Sequence, residues 1–342
     1  MITFIRLAPV LFSPLILYFF SAMGILPNWF QADVSDILII KSISIALILF
    51  IFFYLYEYSF NYKSLTDGRL FFQYLVLCIF YELIFDFYNI DVDLRIIAQS
   101  LGLNLVYSTI GIFILVVIGF CSKVNIFSSI QFHLLASISA LSGSKGTIIA
   151  FVLLYILLSR MHIIKLVFII LTITFSLFFI FPSHYLVRYL DPGISMLNMV
   201  QVCHDSGMPV FYYYIDVIMQ YISGNGAFNP VIEYYKDYGK TPPGYNVTPT
   251  VVGDIACGNI YESILLLFCI IVFVWSSMRI SSLLFGYNSN INKVHFFIFI
   301  SVFNSNVFDI LKFDVLFWFS ILIYRILFLL INILKQVLKP ID

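Results

Sequence analysis

Five side chains in this sequence could move a proton or steady a departing anion: Arg188, His204, Asp205, Asp254 and Glu262. An imidazole beside a carboxylate, as in His204-Asp205, can serve as a general base near neutral pH. Adjacent residues on a helix diverge, so an ordinary surface pair is the simpler alternative. Arg188 lies within Tyr185-Leu-Val-Arg-Tyr-Leu190 and would share a helical face with His184. Its guanidinium suits bidentate binding of a phosphate, the other reading being an interfacial arginine among lipid headgroups. Ser142-Gly143-Ser144-Lys145-Gly146 offers a second cation, Lys145, and a helix start at Gly146 whose free N–H groups attract anions. Tyr234, Tyr235, Tyr238, Tyr245 and Asn246, interleaved with Glu233, Lys236, Asp237 and Lys240, suit sugar binding. Rings stack on the apolar faces of pyranoses, although the same tyrosines could form a membrane-interface belt.

Other chemistries lack their signatures. There is no zinc or calcium pattern, phosphate-binding loop, dinucleotide fingerprint or serine-hydrolase elbow, so neither metal nor cofactor is expected. The five cysteines show no metal or redox spacing. Cys78, Cys121 and Cys269 fall inside or at the ends of apolar runs; Cys203 and Cys257 could both face outward, where two unpaired thiols are the expectation and a disulfide between them the lesser alternative. Balanced charge, with 18 basic and 18 acidic residues, gives no reason to expect a nucleic-acid partner.

The elements that must position these residues are membrane helices. Hydrophobic residues make up 62% of the chain, charged residues 11%, and the mean hydropathy is +1.02. Apolar runs of about 20 residues, enough to cross a hydrocarbon core roughly 30 Å thick, recur along the sequence. The fold class expected is an all-α polytopic membrane protein with about ten transmembrane helices and one large outer loop between spans 7 and 8. The spans fall near 7–26, 37–56, 70–88, 101–121, 126–142, 146–159, 163–181, 255–278, 294–310 and 314–334. Residues 1–181 then hold helices 1–7, residues 182–254 the loop, and residues 255–342 helices 8–10. The first span reads as a signal-anchor. The sixth, with an apolar core only from Thr147 to Leu158, either thins the bilayer or starts in a cavity within the protein.

Alternate connections separate by charge. One set carries Arg6, Lys63, Arg69, Lys123, Arg160, Lys165, Arg279, Lys293, Lys335 and Lys339; the other carries only Arg95, Lys145 and Lys312 among four aspartates. The positive-inside rule makes the first set cytoplasmic, with both termini inside and the long loop outside. Ionisable residues within spans gather toward the outer side. Glu82 and Asp86 share a face of the third span, Glu262 lies about two turns into the eighth, Asp309 and Asp314 bracket the turn between the last two, and Lys41 is one turn into the second. Together they suggest a polar cavity opening outward, or a set of interhelical hydrogen bonds. Glu57 and Arg325 stand apart, the latter expected to snorkel or pair with another helix. A one-sided cavity argues against a transporter, which needs access from both sides.

The loop closes on Asn246-Val-Thr-Pro-Thr-Val-Val-Gly-Asp254, followed by Gly258 and an apolar helix. This resembles the end of the large outer loop of O-antigen (oligosaccharide repeat-unit, Wzy-type) polymerases, which reads Thr-x-Pro, then Gly-Glu and a glycine-punctuated helix start. Asp254 takes the acidic position. The Ser142–Gly146 turn is similar to the family's Ser-Arg turn, with Lys145 in place of arginine, and Arg188 and Gly224-x-Gly226 fall where the family has a basic residue and a glycine-rich turn. The similarity covers residues 130–275. It implies a metal-independent glycosyltransferase of the bacterial inner membrane, working at the periplasmic face on undecaprenyl-pyrophosphate-linked oligosaccharides. A chain-length regulator and a repeat-unit flippase are the implied partners. On this resemblance Arg188, Lys145 and Gly146 would stabilise the departing pyrophosphate. His204, Asp205, Asp254 and Glu262 are candidates for the base, and Glu82, Asp86, Tyr234, Tyr235, Tyr245 and Asn246 for substrate contacts. An O-antigen ligase of the same superfamily is the nearest alternative. Ligases carry a His-Asn pair in the second half of the loop, and this loop has no histidine after His204. A repeat-unit flippase is the alternative from the transporter class.

Overall fold

Where the chain presents apolar residues on every side, helices form and only one stripe of each is needed for packing. The computed structural model describes residues 3–24, 34–60, 112–113, 115–117, 119–120, 197, 200–201, 204–205, 250–303 and 307–337. Among these every regular element is helical. A π-helical turn at Thr3–Leu7 leads into α1 (Ala8–Ala22), followed by α2 (Asp36–Tyr58), α3 (Val251–Cys257), α4 (Ile260–Phe285), α5 (Asn290–Val302) and α6 (Val307–Val337). Three of them, α2, α4 and α6, are long and apolar enough to cross a membrane. The protein is helical and membrane-embedded.

The chain divides into two units, one of Met1–Ser59, Ile163–Ser276 and Phe299–Leu311, the other of Phe60–His162, Ser277–Ile298 and Lys312–Asp342. In the first, α2 buries Leu38, Ser42, Ile45, Ala46, Leu49, Phe53 and Glu57, a stripe at three- and four-residue spacing. Its opposite side exposes Ile37, Ile40, Leu47, Ile48, Ile51 and Leu55, as a lipid-facing surface would. Lipid tails are as apolar as these side chains, so close packing and hydrogen bonds, rather than escape from water, hold the stripe in place. Phe50 takes Phe4 and Phe12 edge-on at 5.9 Å each, and the Thr3 N–H donates to the buried Glu57 carboxylate at 2.7 Å. The chain's start therefore lies at the C-terminal end of α2, with α1 antiparallel to it.

The segment between α3 and α4 departs from the sequence expectation of one span at 255–278. The chain bends at Gly258 and Asn259, and all seven residues of α3 are buried. Lys41, in the second turn of α2, holds the carbonyls of Ala256 and Gly258, whereas the Val251 N–H reaches the Phe303 carbonyl at 3.4 Å. Phe303 in turn packs edge-on against Phe53, about 26 Å along α2 from its N-terminus, with ring centroids 4.9 Å apart. So α3 runs antiparallel to α2, from well inside its length back toward its start. Thr250 to Asp254, expected as the end of a surface loop, are in this buried stretch.

The last two expected spans are also redrawn. The break lies between Val302 and Val307, ahead of both Asp309 and Asp314, because the charged residues that looked like a turn sit inside α6. Asp309 is in its first turn and Asp314 is buried two turns in. Upstream, α4 continues through Arg279 to Phe285, and Gly286, at φ 89, closes it in the left-handed conformation that glycine tolerates. Ser289 then caps α5, accepting the Asn292 N–H at 3.2 Å, and Lys293 is buried in the first turn instead of lying in the connection. Nearly every side chain of α5 is buried, Val294, Phe296, Phe297 and Ile300 completely.

A helix ending within apolar surroundings leaves N–H groups that nothing there can solvate. At the start of α6 one is satisfied by Asp254, whose buried carboxylate accepts the Val307 N–H at 2.9 Å. Asp254→Ala should lower stability by about 1–3 kcal/mol, through loss of the cap and an unsatisfied buried donor. Asp254→Asn, which keeps an acceptor oxygen, should lose less. Thermal unfolding of the detergent-solubilised protein checks the order; equal midpoints for wild type and Asp254→Ala would remove the capping role.

Candidate functional site

Of the sequence-nominated residues that the structure describes, His204, Asp205 and Glu262 lie toward the start of α2, while Asp254 lies at the break before α6. Ser35, the residue before α2, donates its N–H to Gln201 at 2.9 Å, and the Gln201 amide donates to Asp205 at 2.8 Å. Asp205 is thus positioned from the α2 terminus through one glutamine. His204 and Asp205 are both helical and exposed, so their side chains diverge by about 100° and each faces solvent on its own line. Leu197 and Val200, on the same short stretch, are buried and anchor it.

Six residues on from Ser35, the Lys41 ammonium caps the C-terminal carbonyls of α3 from the side, donating to Ala256 at 2.9 Å and also to Gly258. A cation placed against the carbonyl end of a helix meets the negative end of its dipole. At the opposite end of α3 the Thr250 hydroxyl accepts the Gly253 N–H at 3.4 Å. Beyond the bend, Asn259 and Glu262 form a reciprocal capping box on α4. The Asn259 N–H donates to the Glu262 carboxylate at 2.9 Å and the Glu262 N–H to the Asn259 side chain at 3.0 Å. The Ser263 hydroxyl donates back to the Ile255 carbonyl at 2.5 Å and pins the two helices together.

This geometry sorts the candidates. Asp254 and Glu262 each spend a carboxylate oxygen on a helix terminus, Asp254 deeply buried and Glu262 half-buried in the first turn of α4 instead of two turns in. His204 and Asp205 are the nominated groups open to a substrate. Arg188, Lys145, Gly146, Glu82, Asp86, Tyr234, Tyr235, Tyr245 and Asn246 lie outside the described residues. Lys41, noted in the sequence only as a charge near a helix start, is the cation that organises this end.

One cysteine expectation is overturned. Cys257, the last residue of α3, is disulfide-bonded, while Cys269 is a free thiol. Cys257 is buried, and Lys41 holds the carbonyls of the residues on either side of it.

A second polar cluster, in the other unit, is one that the sequence reading missed. Asp314 Oδ1 meets both the Ser277 hydroxyl and His295 Nε2 at 2.7 Å, and Trp318 Nε1 donates to Ser277 Oγ at 3.2 Å. The imidazole stacks on Phe317 with centroids 3.8 Å apart and takes the Trp318 edge at 5.6 Å. Since the serine hydroxyl donates to the carboxylate and not to the imidazole, the group has the wrong order for a nucleophile–base relay. It joins α4, α5 and α6 at one level. The usable signal was a histidine in an apolar run, because an ionisable group in a membrane helix requires a partner. In the same unit Gly119 lets a neighbouring helical stretch approach α5; a Cβ there would sit 2.9 Å from Ile291. Arg325 lies over the Phe120 ring at 5.3 Å, a partner on another helix, which is one of the two outcomes its sequence position suggests.

Comparison with known protein families, curated proteins and solved structures finds no match to this chain.

Two outcomes follow for these clusters. Lys41→Met removes charged hydrogen bonds to two carbonyls and should cost about 1.5–3 kcal/mol, read as a lower unfolding midpoint. An unchanged midpoint would mean the ammonium is dispensable. For the second cluster, Ser277→Ala and His295→Phe should each destabilise. Because both bond Asp314, the double variant should depart from additivity by about 0.5–3 kcal/mol. Strict additivity would show that the two do not share the carboxylate.

Proposed function

We propose that this chain is an O-antigen polymerase of the Wzy type, joining undecaprenyl-pyrophosphate-linked oligosaccharide repeat units at the periplasmic face of the bacterial inner membrane. The observation that supports it is the Thr250–Gly258 segment, the part of the sequence that resembles the family. It is a buried helix, capped at both ends, whose C-terminal end lies beside the α2 start that also positions Asp205. On this reading the chain has about ten spans, both termini in the cytoplasm, and residues 182–254 outside.

In the proposed reaction a hydroxyl at the non-reducing end of a new lipid-linked unit attacks the anomeric carbon at the reducing end of the growing chain. The bond from that carbon to pyrophosphate breaks, undecaprenyl pyrophosphate leaves with the bonding electrons, and the hydroxyl proton passes to a base. His204, with Asp205 on the next helical position, is assigned that proton, because Asp254 and Glu262 are engaged at helix ends. Arg188 and Lys145, with the helix start at Gly146, are assigned the departing charge. Glu82, Asp86, Tyr234, Tyr235, Tyr245 and Asn246 are assigned to the sugars. No metal or cofactor has a step in this scheme.

A deletion strain should display lipid core capped with single repeats. Loss of all attached polymer, with free polymer accumulating, would favour the ligase, and an unchanged profile would remove both readings. Arg188→Ala should abolish chain growth while the protein still inserts. With purified enzyme and lipid-linked repeat units, His204→Ala should slow polymerisation by about 10²-fold or more. Wild-type rates from His204→Ala would transfer the base to another group.

A further inference from the structure

We infer that Cys257 is joined to Cys203, a disulfide that staples the outer loop to the bend between α3 and α4. Cys257 is disulfide-bonded and Cys269 is not, which leaves Cys78, Cys121 and Cys203 as partners. Cys203 itself lies outside the described residues, but its neighbours do not. Gln201, two positions before it, accepts the Ser35 N–H, and His204, immediately after it, is helical. Ala256 and Gly258, on either side of Cys257, accept hydrogen bonds from Lys41.

The described neighbours of both cysteines are thereby tethered to Ser35 and Lys41, at and just inside the start of one helix. Ser35 and Lys41 are about 9 Å apart along α2, and helical side chains lean toward the N-terminus, which brings the ammonium back toward Ser35. A disulfide needs Cα atoms within roughly 7 Å, a separation these tethers allow. Cys203 belongs to the same unit as Cys257, whereas Cys78 and Cys121 belong to the other. The sequence reading also sets Cys78 within the third span and Cys121 at the expected cytoplasmic end of the fourth, away from an oxidising compartment.

Formation of the bond removes two protons and two electrons from the paired thiols. The acceptor is the disulfide of a thiol oxidoreductase in the outer compartment, which is reduced to a dithiol. The staple rests on the outward placement of the loop and not on polymerase chemistry, so it stands or falls without any polysaccharide assay. Once made, it fixes the stretch bearing His204 and Asp205 to the start of α4 even if the Gln201 and Lys41 hydrogen bonds open.

The test is peptide mapping of the full-length protein, extracted from membranes with free thiols blocked by N-ethylmaleimide and digested without reductant. A cross-linked pair of peptides containing Cys203 and Cys257, abolished by dithiothreitol, is the expected result. Cys257 joined to a different cysteine, or found fully alkylated, would overturn the inference. A count of maleimide-reactive thiols in denatured, unreduced protein gives a second reading. With two of five cysteines joined, wild type should show three and Cys203→Ser four, the new one being Cys257. A count that falls to two in Cys203→Ser, or a wild-type count of five, would refute the pairing.

Discussion

The hydrogen bond from the Val307 N–H to the Asp254 carboxylate is the interaction on which the rest of the first unit depends. It resolves a conflict that the short α5 creates. A helix of 13 residues spans only about 20 Å, so the chain must stop and restart a helix among apolar side chains. Hydrocarbon offers nothing to the freed N–H groups, and protein must supply the acceptor. The acceptor comes from α3, and α3 can present it only by folding back along α2. The bend at Gly258, the Lys41 contacts with the α3 carbonyls and the capping box on α4 follow from that requirement.

Charge placement repeats the logic. Among the described residues, buried ionisable groups are found where backbone ends or other helices need them: Glu57 on the Thr3 N–H, Asp254 on Val307, and Asp314 on His295 and Ser277. Each is expensive in a low-dielectric setting without its partner. Their concentration toward helix ends is as readily explained by backbone satisfaction as by a reaction centre. That is why His204 and Asp205, exposed and free of any helix-capping duty, carry the proposed chemistry.

What the sequence made legible was local. The apolar runs located α2 and the middle of α4, and Lys41 lies in the second turn of α2 as its position in the second apolar run implied. The α4 start is also readable, since Asn259-x-x-Glu262 is a capping box in plain sequence, although the apolar run alone sets the glutamate two turns in rather than in the first turn. Asp254 could not be resolved locally, because the group it caps is 53 residues away. Nor could the α5–α6 boundary. Asp309, Lys312 and Asp314 look like a solvated turn until a histidine 19 residues upstream is found to hold the last of them. Hydropathy registers the cost of a charge but not the partner that offsets it.

The same 53-residue separation has a consequence for how the protein is made. A ribosome emits Asp254 well before Val307, so α3 exists before the helix start that its carboxylate caps. Burying that carboxylate costs more until the Val307 N–H is there to meet it. The packing of α3 beside α2 therefore reaches its full strength only when the first turn of α6 arrives, and the order of synthesis differs from the order in which these contacts become secure.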